Sequence, residues 1–459
     1  MKSLAQAVEQ VVRCNKCGFC QEVCPTYKVT GQEFAVARGR NRLLRLVVDG
    51  RLTLEGDPEL KEYLYTCLLC GACTVVCPPG VPTDKLVAAA RADLTRGRGL
   101  PFLYRTALHG VLRSPRRLAV PVTLLRLYQN SGLRWVARHA GLLSLLGTLG
   151  RVEGILPGIP RSSLRGRLGR QGAATPAGTG AVVYATPMGR LSQPRRKVAY
   201  FLGCVTDNLF PSVGEALIGV VERNGYQVVV PENLCCGVAH RAYGDVAAAE
   251  ELARQNLEVL AGTGAELVVT DCATCAHTLR EYGDLLADDP RHAAAAAELS
   301  GKVREVSQLL VEEGFAEPPG ALEETVTYHD PCHLGRGMGV RAQPRQILRS
   351  IPGLEFRELP EADWCCGGAG SYNVTHHELS VRILERKMEN FRQTGARLLA
   401  TSCPSCLLQL GFGLRRGESA ARAGAEVPGA QPGAQSEAQP GARVVHPVQL
   451  LWQSYRNGG

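Results

Sequence analysis

The 459-residue sequence predicts a multidomain α+β protein. We expect a small α-helical domain first, then a helical connector, then two repeated α/β domains. Three observations predict this order. Eight cysteines in two groups lie within the first 100 residues, a strand-and-helix pattern then occurs twice, and five cysteines match between its two copies. The predicted boundaries are 1–100, 101–195, 196–320 and 321–459.

Cysteine is the unusual component of the sequence, with 18 residues. The first ten residues carry charge and contain no apolar stretch typical of a secretory signal, so we expect a cytoplasmic protein in a reducing compartment. Clustered cysteines there are more often metal ligands or redox groups than disulfides. Hydrophobic residues make up 45% of the chain and charged residues 21%, which is ordinary for a globular protein.

Each N-terminal group of cysteines has the spacing C-x2-C-x2-C-x3-C-P of ferredoxin-type two-cluster domains. Three cysteines spaced in this way surround three corners of a cubane [4Fe-4S] cluster, and the fourth completes the other cluster. Structural zinc, the alternative, closes with four ligands from two C-x2-C pairs and leaves the third cysteine of each run unexplained. The predicted first site is Cys14, Cys17, Cys20 and Cys77, and the predicted second site is Cys67, Cys70, Cys73 and Cys24.

The connector is strongly basic. Between Arg91 and Arg170 the acidic residues are Asp93 and Glu153 alone, and Leu, Val and Trp135 lie between many arginines. This pattern predicts amphipathic helices that contact an anionic membrane surface or an acidic partner, or that form a solvated connector. Its apolar runs are shorter than the roughly 20 residues that span a bilayer, so peripheral contact with the inner face of the cell membrane stays open. We expect no nucleic-acid partner.

Residues 171–193, rich in Gly, Ala, Thr and Pro, predict a linker, and the α/β repeats follow it. Residues 416–443 are of low complexity and predict a disordered insertion, after which 445–452 rejoins the fold. The predicted strands are 197–203, 227–230, 266–270, 325–328 and 397–401. The predicted helices are 213–224, 246–260 and 378–393.

Each repeat contains one cysteine, then Cys-Cys-Gly, then C-x2-C, and the matched positions differ by 128 to 131 residues. The cysteines follow predicted strands, where open α/β sheets bind their ligands. Five thiols exceed the four of a simple metal site, so each set is a candidate cluster site. The sets are Cys204, Cys235, Cys236, Cys272 and Cys275, and Cys332, Cys365, Cys366, Cys403 and Cys406. An internal repeat of this size predicts two domains related by pseudo-twofold symmetry.

These repeats resemble the cysteine-rich domain of heterodisulfide reductases and of the iron-sulfur subunits of 2-hydroxyacid oxidases. The whole order of domains is similar to the glycolate oxidase iron-sulfur subunit family, and so are the motifs 37–40 (ARGR), 328–333 (YHDPCH) and 446–448 (HPV). In heterodisulfide reductase such a set of five cysteines binds a noncubane [4Fe-4S] cluster. The resemblance therefore implies two cubane [4Fe-4S] clusters and leaves open one or two further noncubane clusters.

The resemblance implies the electron-transfer subunit of a glycolate (2-hydroxyacid) dehydrogenase complex. It would accept electrons from a separate FAD-containing dehydrogenase subunit and pass them towards quinone or another acceptor. The sequence contains no flavin or hydride-transfer motif, so we expect no catalytic residues for substrate oxidation in this chain. His240, His329, Asp330 and His333 lie near the cysteines and are candidates for tuning them.

Three alternatives stay open from the sequence. The chain could serve another flavin dehydrogenase, with lactate or glycerol-3-phosphate as the substrate of the complex. It could also be a thiol-disulfide reductase similar to heterodisulfide reductase, which cleaves a disulfide at a noncubane cluster. A zinc-stapled interaction protein would instead be colourless and would contain zinc.

Overall fold

The computed structural model describes residues 3–139, 147–170, 174–176, 182–185, 195–422 and 441–458. Within these ranges a helical N-terminal domain is followed by a helical connector and two α/β domains, so the predicted fold class is confirmed. The N-terminal elements are Leu4–Ala7, Val8–Val12, Phe19–Val23, Pro25–Thr30, Glu33–Ala35, Ala37–Val48, Pro58–Tyr65, Ala72–Val75 and Thr83–Arg98.

A buried arginine organises the N-terminal domain. Arg40, on the helix Ala37–Val48, is 2% exposed and donates hydrogen bonds to the carbonyl of Ala35 at 2.7 Å, the carbonyl of Tyr63 at 3.1 Å and the hydroxyl of Thr66 at 3.1 Å. A buried cation is tolerated only when its donors are satisfied in this way. Arg40 thus fixes the end of the helix Pro58–Tyr65, from which the second cysteine loop begins.

The connector consists of helices that leave apolar side chains exposed. Eight of the twelve exposed large hydrophobic residues among the described part of the chain lie between Phe102 and Val136. No helix of the described ranges is both long and apolar enough to cross a membrane. The connector helices are Phe102–Arg105, Thr106–Leu112, Pro115–Asn130, Leu133–His139, Thr148–Ile155 and Leu164–Arg170.

The strands are β1 Ala174–Pro176, β2 Val182–Ala185, β3 Lys197–Tyr200, β4 Gln227–Val230, β5 Leu267–Thr270, β6 Val303–Glu305, β7 Glu324–Tyr328, β8 Leu354–Phe356, β9 Leu398–Ala400 and β10 Arg443–Val445. Each α/β domain has four parallel strands in the same order, and the antiparallel strands β2 and β1 extend the first sheet. The first sheet has the order β4-β3-β5-β6 and the second the order β8-β7-β9-β10. Ala199 of β3 pairs with Val229 of β4 and Val268 of β5, and Thr327 of β7 pairs with Leu399 of β9.

Helices cover both sheets. In the first domain they are Cys204–Leu209, Pro211–Arg223, Val238–Ala242, Val246–Ala261, Ala273–Arg280, Tyr282–Leu285, Ala293–Lys302 and Val306–Glu313. In the second domain they are Cys332–Gly335, Ala342–Ser350, Tyr372–Thr375, His377–Thr394, Pro404–Arg422 and Pro447–Asn457. Every strand and helix predicted for the repeats is present, within a few residues of its predicted ends.

The two domains exchange their last helices. Val306–Glu313 of the first domain packs against Ala342–Ser350 of the second, and Pro447–Asn457 of the second packs against Pro211–Arg223 of the first. Because each contact is the counterpart of the other, the domains are related by an approximate twofold axis, as the repeat predicts. The C-terminal segment therefore belongs to the shared core of both domains.

Two predictions are corrected by the structure. The stretch predicted as a linker contains β1 and β2, and β2 pairs antiparallel with β4, because residues 182–184 (VVY) are strong strand formers beside an open sheet edge. The predicted insertion, residues 416–443, is too long at both ends. The helix Pro404–Arg422 continues past Arg416, and β10 begins at Arg443. Residues 423–440 lie outside the described residues.

The helix exchange can be tested at Gly219, where an added Cβ would lie 2.6 Å from the Trp452 ring. We expect Gly219→Ala to destabilise the protein by about 1–3 kcal/mol, because a rigid ring and a helix backbone must separate. The matched control is Gly301→Ala, also in a helix, where nothing lies within 4 Å of an added Cβ. Thermal unfolding is the measurement, and equal stability of the two variants would contradict the packing.

Candidate metal centres

The two N-terminal cysteine loops have the same backbone conformation. The residues on either side of the second cysteine have positive φ in both loops: Lys16 at 61° and Gly18 at 93°, and Leu69 at 54° and Gly71 at 69°. A left-handed conformation costs a non-glycine residue on the order of 1–2 kcal/mol. Turns of this kind form concave backbone sites for anions, which is what the sulfides of a cluster require.

Cys24 lies between the two loops. Burial raises the pKa of Cys20, and the nearby Cys24 and Cys14 contribute to the shift. Burial likewise raises the pKa of Cys73 well above its usual range, and Cys24 again lies close enough to contribute. Cys24 also lies near Cys70. A fourth ligand from the first loop for the second site is therefore consistent with this geometry.

The remaining cysteines of these loops lie on the surface of the N-terminal core. Cys14, Cys67 and Cys77 pack against it, and the sulfur of Cys77 accepts the backbone N–H of Val81 at 3.4 Å. Cys17 is exposed. The assignment of Cys77 to the first site stays a prediction.

The ten cysteines of the repeats follow the carboxyl ends of neighbouring strands. In each domain the single cysteine follows the central strand, β3 or β7, and the other four follow the strands on either side of it. Because the strands are parallel, all five thiols of a domain meet at one edge of its sheet. This is the location that the sequence predicts.

In the first domain the five thiols form a row of contacts. Cys204 contacts Cys235, and its neighbour Cys236 contacts Cys275, which contacts Cys272. Cys236 accepts hydrogen bonds from Cys235 and Cys275, and these lower its pKa well below the usual value. Cys236 is thus the thiol of this row that favours the thiolate form.

The second domain repeats this arrangement. Cys332 contacts Cys365, and Cys366 lies with its sulfur 3.6 Å from that of Cys406, which contacts Cys403. Hydrogen bonds from Cys332 and Cys366 lower the pKa of Cys365 well below the usual value.

Both sets of five thiols fit an iron-sulfur cluster better than zinc. Thiolates are the ligands of both, but a structural zinc ion takes four. An iron-sulfur cluster has several iron atoms, so it can bind a fifth thiol and the two cysteines that are adjacent in the sequence. The positive charge of the iron atoms would also offset the negative charge of the buried thiolates, because isolated charges are costly to bury. When clusters are bound by these cysteines, they supply one-electron transfer.

The two sets meet at the approximate twofold axis. Cys272 contacts Cys403, its counterpart in the other domain. The backbone N–H of Ala273 donates to the carbonyl of Ser402 at 3.0 Å, and the hydroxyl of Thr274 lies 3.5 Å from the sulfur of Cys403. The thiols of both domains therefore form one continuous row.

The N-terminal domain approaches this row at the second α/β domain. Cys70 of the predicted second site lies near Cys365 and Cys332 of the second α/β domain. Leu68 packs with Trp364 beside Cys365. The order of the cysteine sets is thus first N-terminal site, second N-terminal site, second repeat, first repeat.

Arg336 lies at the junction between the N-terminal and second α/β domains. Its guanidinium donates to the carbonyls of Asp363 at 2.6 Å and Cys70 at 3.4 Å, and its side chain is 9% exposed. Burial would lower the pKa of Arg336, but the nearby Cys70 and Asp363 raise it, so the cation persists. No motif in the sequence marks Arg336; the signal that could have identified it is its contrast with Asn208, which follows Cys204 at the same spacing.

His329 points at the thiols of the second domain. One of its ring nitrogens lies within 4.8 Å of the sulfurs of Cys366 and Cys406, Nδ1 has no hydrogen-bond partner, and burial lowers its pKa to about 3. Phe201 occupies the matching position after β3 in the first domain. The two cysteine sets therefore have different surroundings.

The other three polar candidates have structural contacts. Asp330 forms an ion pair with Arg345 at 2.8 Å. His333 Nδ1 lies 3.1 Å from the hydroxyl of Thr274, across the domain boundary. His240 lies 3.3 Å from Asp245, which also pairs with His109 of the connector at 2.7 Å. The His333 contact joins the two α/β domains and the Asp245–His109 pair joins the first of them to the connector, whereas the Asp330–Arg345 pair lies within the second domain.

A two-site cysteine domain joined to two cysteine-rich α/β domains by a continuous row of thiols defines an iron-sulfur electron-transfer protein. Sequence families agree with this class. Residues 10–81 match the 4Fe-4S dicluster domain, residues 198–280 and 326–411 match the cysteine-rich domain, and residues 100–156 match the linker region of the glycolate oxidase iron-sulfur subunit. The protein carries [4Fe-4S] clusters.

Full-length relatives identify the family. The chain is 36% identical over 416 residues to the probable glycolate oxidase iron-sulfur subunit of Bacillus subtilis, which covers 89% of this chain and 90% of that protein. It is 27% identical over 417 residues to the glycolate oxidase iron-sulfur subunit of Escherichia coli, covering 89% and 93%. Lactate utilization protein A of Bacillus subtilis is 34% identical over 222 residues, covering 48% and 92%. The chain belongs to the glycolate oxidase iron-sulfur subunit family, as the resemblance predicts.

Arg336 should raise the reduction potential of a cluster at the predicted second N-terminal site, which includes Cys70, because a cation stabilises the more negative reduced state. We expect Arg336→Met to lower that potential by on the order of 50 mV, as Coulomb interaction across a partly buried junction implies. An EPR-monitored redox titration measures the shift. The control is Arg341→Met, because Arg341 pairs with the same Asp363 carboxylate at 3.4 Å. Equal potentials in the two variants would contradict the role of Arg336.

Proposed function

We propose that this protein is the iron-sulfur subunit of a glycolate dehydrogenase complex, which accepts electrons from a flavin-containing subunit and passes them towards the quinone pool. The observation that carries the proposal is the continuous row of cysteines from the N-terminal domain through both repeats. Such a row suits a protein that moves electrons over a distance. The named relatives from Bacillus subtilis and Escherichia coli support glycolate as the substrate of the complex.

Electrons enter at the first N-terminal site in this proposal. Cys17 of that site is exposed, whereas the cysteines of the repeats are buried or half-buried. The second N-terminal site lies deeper, against the second α/β domain. This order supports transfer from the surface towards the interior.

An apolar surface surrounds the predicted entry site. The four exposed large hydrophobic residues of the described chain that lie outside the connector are Val8, Val12, Phe19 and Val75. Phe19 is 60% exposed next to Cys20, and Val75 is 61% exposed two residues before Cys77. The helices that carry these two side chains pack against each other. Exposed apolar groups around a redox site are typical of a docking surface for a partner subunit.

The identity of the electron donor is tested by mixing the purified protein with its flavin subunit under anaerobic conditions. We expect glycolate to bleach the visible iron-sulfur absorption and to produce the EPR signals of reduced [4Fe-4S] centres. D-lactate and glycerol-3-phosphate are the comparison substrates. Reduction by one of these, with none by glycolate, would assign the chain to a different dehydrogenase.

The docking surface is tested by Phe19→Asp. We expect the affinity for the flavin subunit to fall at least about tenfold, because a charge would have to be buried in an apolar interface. Ala295→Asp, which adds the same charge at an exposed position of the first α/β domain, is the control. Unchanged affinity of the Phe19 variant, measured by calorimetry with cluster content verified, would place the partner elsewhere.

A further inference from the structure

Two histidines and one carboxylate meet where the connector contacts the first α/β domain. His109 lies on the connector helix Thr106–Leu112, and His240 and Asp245 follow the cysteine pair of residues 235–237. One ligand atom from each side chain, a ring nitrogen or a carboxylate oxygen, lies within 4.8 Å of the other two. Atoms this close can surround a single metal ion.

Asp245 lies between the two imidazoles. Its Oδ2 atom is 2.7 Å from His109 Nε2 and 3.3 Å from His240 Nδ1. Its Oδ1 atom accepts the backbone N–H of Ala248 at 3.2 Å and caps the helix Val246–Ala261. Burial would raise the pKa of Asp245, but hydrogen bonds from the imidazoles and from the helix N-terminus lower it, so the group is a carboxylate. The backbone thus fixes one oxygen while the other faces both rings.

His240 has a free nitrogen in a buried position. Its side chain is completely buried, and Nε2 has no hydrogen-bond partner among the described residues. A buried polar atom without a partner is uncommon in proteins, and a bound ion or water is a usual reason for one. The ring also meets that of His109 edge to face, with centroids 5.6 Å apart. Asp245 therefore uses one of the two nitrogens of this imidazole.

The N-terminal domain fixes the turn that carries His240 and Asp245. Arg91 donates a hydrogen bond to the carbonyl of Ala242 at 2.9 Å. Gly244 has a φ of 82°, and an added Cβ there would lie 2.1 Å from the carbonyl oxygen of Arg91. Within the turn, the backbone N–H of Asp245 donates to the carbonyl of His240 at 2.8 Å. Two of the three side chains are therefore positioned by the backbone, as a preorganised site requires.

His109 comes from a separate segment and is the accessible member of the group. Its side chain is 37% exposed, compared with 12% for Asp245 and 0% for His240. The helix Thr106–Leu112 that carries it is a π-helix, a form that often occurs at functional sites. The neighbouring Leu108 is buried and packs this helix onto the protein. An ion and a water molecule therefore have access from the side of His109.

The three side chains suit zinc better than other common divalent ions. Imidazole and carboxylate both bind zinc, and three protein ligands with one water form a common tetrahedral zinc site. Magnesium and calcium prefer oxygen ligands, whereas two of the three ligands here are nitrogens. Iron(II) with two histidines and a carboxylate keeps several further positions open. Here His240 and Asp245 are enclosed, and the exposed side lies at His109.

The separations of the ligand atoms are close to those of a zinc site. With bonds of about 2.0–2.1 Å, neighbouring ligand atoms around tetrahedral zinc lie roughly 3.3 Å apart. The separation of 3.3 Å between His240 Nδ1 and Asp245 Oδ2 matches this value. His109 Nε2 would have to move away from Asp245 by about 0.6 Å, which the exposed connector helix can accommodate.

We propose that His109, His240 and Asp245 bind one zinc ion, which fastens the connector to the first α/β domain. A water molecule takes the fourth position on the exposed side. The ion replaces the hydrogen bonds from the imidazoles to Asp245, and each neutral ring carries its proton on the nitrogen that faces away from the metal. Zinc has no redox chemistry, so no electron is transferred.

This site goes beyond the proposed function and does not depend on the donor or acceptor of electrons. The helix Val238–Ala242 begins directly after residues 235–237. A zinc ion at His240 therefore also restrains the segment that carries the adjacent cysteines of the first repeat.

The ligand set is tested by His109→Gln in the full-length protein purified with its clusters. A glutamine amide still donates a hydrogen bond to Asp245 but is a poor zinc ligand, so the iron content should not change. We expect the zinc affinity, measured by equilibrium dialysis, to fall at least tenfold. His292→Gln is the control, because His292 pairs with Asp289 at 3.0 Å beside Arg254 rather than beside a second imidazole.

X-ray absorption at the zinc edge distinguishes this site from the cysteine sets in the parent protein. We expect zinc–nitrogen and zinc–oxygen distances of about 2.0–2.1 Å and no zinc–sulfur distance near about 2.3 Å. Zinc found at sulfur distances alone would overturn the proposal, because the ion would then lie among the cysteines.

The fastening of the connector is tested by amide hydrogen exchange. We expect zinc to slow exchange in residues 106–112 at least tenfold in the parent protein and in His292→Gln, and to leave His109→Gln unchanged. Equal zinc affinity of the three proteins would overturn the proposal. Exchange in the parent protein that does not respond to zinc would do the same.

Discussion

The contact between Cys272 and Cys403 is the constraint around which the rest of the structure is arranged. These thiols belong to different domains, and they meet because the approximate twofold axis brings the ends of β5 and β9 together. The reciprocal exchange of terminal helices keeps the two domains in this position. Without that exchange, the two sets of five thiols would be separate sites on separate sheets.

The two α/β domains differ at positions that distinguish one set of thiols from the other. The N-terminal domain contacts the second repeat through Cys70 and Arg336, and the first repeat has Asn208 at the matching position. His329 faces the second set of thiols, whereas Phe201 occupies its place in the first domain. Because a few positions differ between the two repeats, the cysteine sets form an electron path with a defined order.

The sequence predicts those features of the fold and of the cysteine sites that depend on local pattern. Buried strands such as 227–230 and the regular cysteine spacings are local signals, and the matched offsets of the repeat show that two similar domains follow. The short strands β6, β8 and β10 were missed, because three residues carry too little pattern. The junction formed by Arg336 and the contact between Cys272 and Cys403 depend on how the domains pack, which no local signal encodes.

We infer that the thiols of the repeats continue the cluster chain of the N-terminal domain. This continuity is tested most directly by iron, zinc and acid-labile sulfide per chain in anaerobically purified protein, with EPR after dithionite reduction. The account predicts about 12–16 iron and as many sulfides, with a second type of EPR signal besides that of cubane centres. About eight of each would show that the repeats hold no clusters, and zinc without sulfide would contradict the account entirely.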